Sequence, residues 1–212
     1  MKKAVLFDFD GTLINTNELI FESYRVAFRT VLNREIKMDE ILGLYGRPLY
    51  PSLMEYGEVG ERLCDVYREF NKNHHDEMAL PFNGAYEGVM MLKEKGYSLG
   101  IVTSKRHHMV EKGIKILKME GLFDVIITPE DTEKSKPDPE PVLCGCKRLG
   151  VNPQNTIYVG DSVFDMESGQ RAGTRLCAVK YSITPAEQLL TFSPDFFVDT
   201  IKEFAEKVED VS

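Results

Sequence analysis

Two aspartates, Asp8 and Asp10, follow the first apolar run of the chain, Ala4–Phe7. That run is continuous and apolar, as is typical of a strand buried on both faces of a parallel sheet. Residues two apart on a strand point to the same side, so both carboxylates would leave the same edge of the sheet. The two charges repel each other unless a cation lies beside them. The pair therefore predicts a Mg²⁺ site with one nucleophilic carboxylate and one general acid or base, although two ordinary loop carboxylates could share this spacing.

Two hydroxyl residues, Thr103 and Ser104, follow a second predicted strand at 98–102. A hydroxyl at a strand end, together with the backbone N–H of Ser104 and the N-terminus of the next helix, can bind phosphate oxygens. The alternative is that Thr103 or Ser104 simply caps that helix. The segment is thus a candidate for substrate binding.

A lysine, Lys136, stands in the proline-stiffened loop 136–139, just before a helical pattern. The chain has 26 basic and 34 acidic residues and a net charge of −8, which repels phosphate esters. A phosphate site in such a chain needs local positive charge, and Lys136 could neutralise both an aspartate nucleophile and the phosphate. Taken alone, it could equally be a solvated lysine like Lys134 and Lys147.

Two more aspartates, Asp161 and Asp165, follow the predicted strand at 156–159. A carboxylate at another strand end can complete an oxygen-rich Mg²⁺ site. Asp165 lies one turn further on, where it could ligate the metal or support a residue that does. The alternative is a carboxylate that caps the next helix.

Short strand-like runs alternate with helical patterns, which predicts an α/β fold with a Rossmann-like parallel sheet. Asp138 is expected to cap a helix that starts at Pro139 and ends before Gly150. Residues 16–79 show only helical patterns and no good strand. We therefore predict a core domain of residues 1–14 plus 80–212 and an inserted all-helical cap of residues 15–79, over the carboxyl ends of the strands. The further strands are predicted at 98–102, 125–128, 156–159, 176–179 and 196–198.

The composition, with 42% hydrophobic and 28% charged residues, is that of an ordinary globular protein. Its acidic surface makes nucleic acid and anionic membranes unlikely partners, and no stretch is apolar enough to span a membrane. The four cysteines form no CxxC pair, which predicts reduced cysteines and a cytoplasmic location. We expect a monomer or a weak dimer.

The four motifs, taken together, resemble those of the haloacid dehalogenase superfamily, in the branch with a helical cap after the first motif. Residues 8–12 (DFDGT), Thr103, Lys136-Pro137 and residues 160–165 (GDSVFD) match its four motifs in order. The resemblance implies that Asp8 is the nucleophile and a Mg²⁺ ligand. It implies that Asp10 is the acid/base and lends its backbone carbonyl to the metal. Thr103 and Lys136 would hold the phosphoryl group and Asp161 would ligate Mg²⁺.

Within the superfamily, residues 13–20 (LINTNELI) and 136–142 (KPDPEPV) resemble the pyrophosphatases of the PpaX type, followed by the phosphoglycolate phosphatases. The implied activity is Mg²⁺-dependent phosphohydrolysis through an aspartyl phosphate, with pyrophosphate or phosphoglycolate as substrate. A β-phosphoglucomutase is the alternative, although such a mutase would have a histidine where Ile20 stands. Asp10 speaks against a dehalogenase, because dehalogenases lack the second aspartate.

Two other features could belong to a site. Arg47 lies in a predicted loop of the cap, where it could bind a second phosphate or a carboxylate, or be an ordinary exposed arginine. The pairs His74-His75 and His107-His108 suggest metal ligands, but adjacent residues do not share a helix face. We therefore expect all four histidines to be solvated.

Overall fold

The computed structural model describes residues 2–209 of the 212-residue chain. The chain forms two compact units. One, the sheet unit, contains the residues up to Asn15 and those from Leu80 onward. The other, the helical unit, is Thr16–Ala79.

A six-stranded, all-parallel sheet forms the centre of the sheet unit, in the order β5-β4-β1-β6-β7-β8. All four residues of β1 are fully buried, because helices cover both faces of a parallel sheet. The chain leaves β1 for β4 on one side and later returns to β6 on the other. The carboxyl ends of these three strands are therefore neighbours at a topological switch point, where α/β sheets bind ligands. The strands are β1 (Ala4–Phe7), β4 (Ser98–Val102), β5 (Val125–Ile127), β6 (Thr156–Gly160), β7 (Arg175–Val179) and β8 (Phe196–Val198).

Within residues 2–209, the sheet unit has six α-helices, and close contacts show how they pack. A β-carbon on Gly88 would lie 2.4 Å from the backbone carbonyl carbon of Ile201, so the packing of α5 against α10 requires glycine there. The side chains of Val142, Cys146 and Leu149 on α7 pack into the core cluster that contains Leu6. The helices are α5 (Ala85–Glu94), α6 (His107–Leu117), α7 (Glu140–Leu149), α8 (Val163–Ala172), α9 (Ala186–Leu190) and α10 (Ile201–Lys207).

The predicted boundaries needed small corrections. Helix α7 begins at Glu140 rather than Pro139, yet Asp138 still accepts a hydrogen bond from the Glu140 N–H at 3.0 Å, so its capping chemistry is retained. Strand β5 ends at Ile127, one residue earlier than predicted. Gly150 ends α7 in the left-handed conformation, as predicted.

A short antiparallel ribbon that the sequence did not reveal lies at the unit boundary. Its strands β2 (Ile14–Asn15) and β3 (Leu80–Pro81) pair Asn15 with Leu80. A strand of two residues is too short to show an alternating hydrophobic pattern, so it is recognised only by its backbone pairing in the structure. Because of this pairing Asn15 belongs to the sheet unit, and the helical unit begins at Thr16 rather than at 15.

The helical unit contains no strand among its residues and packs chiefly through its first and last helices. The rings of Tyr24 and Tyr67 lie 4.7 Å apart between centroids, and Asn71 donates a hydrogen bond to Ser23. The helices are α1 (Asn17–Leu32), α2 (Met38–Leu44), α3 (Leu49–Met54) and α4 (Gly60–Met78).

The expectation of solvated histidines was wrong for one residue. His75 is completely buried in the helical unit, and His74 stacks on Phe70 at 4.0 Å between ring centroids. His107 and His108 are exposed. Within residues 2–209, no helix is both long and apolar enough to cross a membrane.

Candidate active site

The sheet brings together three of the predicted site residues. Asp8, Thr103 and Asp161 each come directly after the last residue of β1, β4 and β6, which are adjacent strands. The Asp8 N–H still bonds to the Val159 carbonyl at 2.8 Å, and the Thr103 N–H bonds to that of Ile127 at 3.0 Å. The sheet ladder therefore fixes the backbone on which these side chains stand.

Lys136 is buried and bridges two carboxylates. Its Nζ lies 2.7 Å from Oδ1 of Asp8 and 2.5 Å from Oδ1 of Asp165. The interpretation of Lys136 as a solvated surface lysine is therefore wrong. Burial lowers the pKa of this amine, but the Asp165 and Asp8 carboxylates raise it further, so the net pKa lies well above its usual value. The amine remains an ammonium ion at neutral pH.

Asp165 is held on both of its carboxylate oxygens. Oδ1 accepts from Lys136 and lies 3.1 Å from the hydroxyl oxygen of Tyr158. Oδ2 accepts from the hydroxyl and the N–H of Ser162, whose side chain in turn caps α8. Asp165 thus belongs to a capping box and also orients Lys136. The capping alternative holds for Asp165 but not for Asp161, because Ser162 is the capping residue.

Asp8, Asp161 and Asp165 form a buried acidic cluster, with one oxygen of each within 4.8 Å of the others. Three carboxylates against the single ammonium of Lys136 leave a formal charge of −2 in a buried space. Burying such an excess is costly without a compensating cation. A hard divalent ion with oxygen ligands fits both the charge and the donor atoms, which is the preference of Mg²⁺.

The acid–base properties of the cluster agree with its need for a cation. Burial, and then repulsion from Asp165 and Asp10, raises the pKa of Asp8 from 3.8 to about 7, despite the opposing effect of Lys136. Burial and the charges of Asp165 and Asp8 raise the pKa of Asp161 well above its usual range. Perturbed carboxylates of this kind cluster at functional sites.

The hydroxyl of Thr103 is prepared to donate a hydrogen bond. Its Oγ1 accepts from the Lys105 N–H at 3.1 Å, which directs the hydroxyl hydrogen elsewhere. Helix α6 begins only at His107, after Arg106, so neither Thr103 nor Ser104 caps it. Thr103, Ser104 and Lys136 all line one small pocket.

Asp10 has a cationic partner that sequence reasoning missed. The Nζ of Lys105 lies 2.7 Å and 3.0 Å from the two carboxylate oxygens of Asp10. The two aspartates of the first motif are therefore served by different lysines, Lys105 for Asp10 and Lys136 for Asp8. The position of Lys105, two residues after the Thr103 hydroxyl, was the available signal.

Several supporting residues were also missed. In the sequence, Tyr158 is an ordinary residue of a predicted strand, yet its hydroxyl lies 3.1 Å from Oδ1 of Asp165 in the cluster. Thr12 donates to Oδ1 of Asp161 at 3.2 Å, and Ser182 donates to the Asp161 carbonyl oxygen. In the helical unit, Arg47 lies between α2 and α3 and pairs with Glu55. Its substrate-binding role stays a prediction.

Comparisons with known proteins identify the family of this chain. The family model of haloacid dehalogenase-like hydrolases matches residues 5–179. A Clostridium perfringens protein provisionally named a pyrophosphatase PpaX is 45% identical over 210 residues, which cover 99% of this chain and 98% of that protein. Pyrophosphatase PpaX of Bacillus cereus is 38% identical over 210 residues, covering 99% and 97%. The chain belongs to the haloacid dehalogenase-like hydrolase family and is an enzyme of the phosphatase kind.

Solved structures support the fold. A Bacteroides fragilis protein provisionally described as a haloacid dehalogenase-like hydrolase superposes with a TM-score of 0.88 at 24% identity, over 96% of this chain and 100% of that one. A Thermotoga maritima protein provisionally described as a β-phosphoglucomutase has a TM-score of 0.75 at 28% identity, with 97% of each chain covered. The same fold thus serves proteins described as hydrolases and as mutases, and the fold alone does not choose between them.

Proposed function

We propose that the protein is a Mg²⁺-dependent phosphohydrolase that works through an aspartyl phosphate on Asp8. The observation that carries the proposal is the bridge from Lys136 to Asp8 and Asp165 inside a buried acidic cluster. The ammonium at 2.7 Å holds one oxygen of Asp8 in place and supplies the positive charge that an incoming phosphate needs.

In the first proposed step, a carboxylate oxygen of Asp8 attacks phosphorus as the bond to the leaving oxygen breaks. When the leaving oxygen needs a proton, Asp10 enters this step protonated and donates it, which leaves Asp10 ionised. When the leaving oxygen departs as an anion, Asp10 enters the step ionised. Thr103 and Lys136 donate hydrogen bonds to the phosphoryl oxygens. In the second step, Asp10 takes a proton from water as the water oxygen attacks phosphorus and the bond to Asp8 breaks. The products are inorganic phosphate and a restored carboxylate.

Asp8 and Asp161, with the backbone carbonyl of Asp10, would hold Mg²⁺. When bound, the ion offsets the charge of the carboxylates and of the phosphoryl group. Asp165 supports the site through Lys136 instead, because its oxygens already accept bonds from Lys136 and Ser162. The acidic cluster is then best described as two ligands and one positioning carboxylate.

Pyrophosphate is the substrate we favour, with phosphoglycolate next. The support is the 38% to 45% identity to proteins named pyrophosphatase PpaX, over nearly the whole of both chains. The helical unit would act as a cap that selects the substrate, with Arg47 as one of its binding residues. The cytoplasmic location stays a prediction supported by four cysteines that are all in the free form.

The test is a panel of pyrophosphate, phosphoglycolate, sugar phosphates and p-nitrophenyl phosphate, each assayed with Mg²⁺ and with a chelator. We expect phosphate release only with Mg²⁺ and fastest with pyrophosphate. Isomerisation of β-glucose 1-phosphate that depends on a bisphosphate activator would instead support the mutase alternative. Activity that persists in the chelator would contradict the proposed metal dependence.

A further inference from the structure

The contact between Lys105 and Asp10 has no place in the phosphohydrolase mechanism as stated above. One ammonium nitrogen reaches both oxygens of the Asp10 carboxylate, at 2.7 Å and 3.0 Å, across 95 positions of the chain. The side chain of Lys105 is only 10% exposed and that of Asp10 21% exposed. This is a largely enclosed ion pair, not one of the mobile surface pairs that contribute little.

The contact fixes the plane of the Asp10 carboxylate. Each carboxylate oxygen has two lone pairs, and a bond from Lys105 to both oxygens occupies one on each. The direction of the remaining lone pairs is thereby set. An acid/base group must lie within hydrogen-bond reach of the proton it transfers, so this orientation matters more than proximity alone.

Lys105 is itself held by the phosphate-binding segment. Its N–H donates to the Thr103 hydroxyl at 3.1 Å, directly after β4. Lys105 therefore contacts two groups of the proposed mechanism. Its N–H bonds to the Thr103 hydroxyl, which would bind the phosphoryl group, and its ammonium bonds to Asp10, which would transfer the proton. A displacement of Thr103 would therefore also displace Asp10, and the reverse.

Lys136 cannot substitute for Lys105. It is already bonded to Asp8 and Asp165, and its side chain is buried beside them. Without Lys105, Asp10 would stand near the acidic cluster with its charge less compensated, and repulsion from Asp8 would favour another rotamer. Removing Lys105 should therefore misorient Asp10 while the Asp8 environment stays intact.

We propose that Lys105 is a positioning residue that orients Asp10 for proton transfer in both steps of the reaction. The inference rests on the proposed function, because it assumes that Asp8 is phosphorylated and that Asp10 activates water. It adds that the lysine of the β4–α6 loop helps to set the orientation in which Asp10 acts.

p-Nitrophenyl phosphate separates the two steps. Its leaving group departs as the phenolate and needs no proton, so attack by Asp8 does not depend on Asp10. Hydrolysis of the aspartyl phosphate still requires Asp10 to take a proton from water. We expect Lys105→Met to give a burst of about one p-nitrophenolate per active site and then a steady rate reduced roughly 10- to 100-fold. This loss is smaller than the ~10²- to 10⁴-fold contribution of acid/base catalysis, because Asp10 itself remains.

An alkyl phosphate, whose leaving group does need a proton, completes the design. Lys105→Met should lose the burst with this substrate, because both steps are slowed. Lys105→Arg should recover part of the steady rate, since a guanidinium can also donate to both carboxylate oxygens. Lys115→Met, at an exposed position on α6, is the matched control and should behave like the unaltered protein.

The outcomes distinguish the two proposals. Steady turnover of Lys105→Met within about twofold of the unaltered enzyme on both substrates would overturn the role of Lys105. Equal loss of the burst and of the steady rate with p-nitrophenyl phosphate would do the same, because it indicates general damage to the site. An unaltered protein with no Mg²⁺-dependent turnover would instead refute the proposed function itself.

Discussion

The Nζ of Lys136 lies 2.7 Å from Oδ1 of Asp8, although 128 positions separate the two residues along the chain. Both side chains are buried, so this ion pair is shielded from solvent. Asp165 holds the same amine from its other side. Lys136 and Asp8 are therefore held in a single geometry, so a substitution at any of these three residues should disturb the other two.

Asp8→Asn should abolish turnover while substrate binding largely survives. The amide has nearly the shape of the carboxylate but is a poor nucleophile, so no aspartyl phosphate can form. Mass analysis of acid-quenched enzyme should show one added phosphoryl group on the unaltered protein and none on the variant. Asp199→Asn, which removes only the exposed ion pair with Lys180, is the control. Near-normal turnover of Asp8→Asn would refute the covalent mechanism.

Mg²⁺ should stabilise the protein more as pH rises. The pKa of Asp8 is about 7 in the folded, metal-free protein, against 3.8 for an unperturbed aspartate, which is the value that applies to the unfolded chain. The folded state therefore binds the proton more tightly than the unfolded state between these values. This contribution to the free energy of unfolding is complete below about pH 4 and is lost as pH rises through about 7. The raised pKa of Asp161 acts in the same direction.

The measurement is urea unfolding with a chelator or with Mg²⁺, at about pH 5.5 and about pH 8. In the chelator, the free energy of unfolding should fall across this interval by up to about 1.4 kcal/mol per pH unit for each group. Mg²⁺ competes with these protons, so it should stabilise more at the higher pH. Asp8→Asn should show a shallower slope. Equal stabilisation by Mg²⁺ at both pH values would contradict the cation site.

Tyr158→Phe should lower both stability and turnover. The hydroxyl lies 3.1 Å from Oδ1 of Asp165 and 3.2 Å from the Val102 carbonyl oxygen. Its single proton can be donated to one of these buried acceptors, and the substitution removes that donor. We expect a loss of about 1–3 kcal/mol in the free energy of unfolding. Because Asp165 orients Lys136, kcat should fall more than KM changes. Tyr86→Phe, at an exposed position, is the matched control.

Gly160→Ala should damage the site through its backbone. A β-carbon at this position would lie 2.3 Å from the β-carbon of Asp165, so the start of α8 must shift. Asp165 would then release Lys136, with a loss of stability of about 1–3 kcal/mol and of most activity. Gly43→Ala is the contrasting control, because no atom lies within 4 Å and the residue is in a helix. It should stabilise by up to about 1 kcal/mol.

Arg47→Ala should raise KM for pyrophosphate more than for p-nitrophenyl phosphate, if Arg47 binds a second anionic group. The guanidinium pairs with Glu55 in the helical unit, so the pair itself needs a control. Glu55→Gln removes the pair but leaves the guanidinium, and should not raise KM for pyrophosphate. Equal changes with both substrates would remove Arg47 from the site.

The parallel sheet could be predicted from the sequence, and so could the meeting of five candidate residues at one edge of it, whose roles stay predictions. Asp8, Thr103 and Asp161 each follow an apolar run, and chain geometry places the ends of parallel strands at one edge. Asp10 and Lys136 were added through the four motifs. The order of those motifs further identified the family, which the family model and the relatives confirm.

Tertiary structure decided the partnerships. The sequence left Asp165 open as ligand or support, and the proposal of a supporting role rests on its hydrogen bonds to Lys136 and Ser162. The only sequence signal for Lys105 is its position two residues after Thr103, and Tyr158 has none. Their importance comes from contacts across 95 and 7 positions that no local periodicity encodes. Strand order and side-chain direction depend on packing of the whole sheet. The sequence alone therefore determined which charged residues were available. The tertiary structure determined how they pair, with Lys136 beside Asp8 and Asp165 and Lys105 beside Asp10.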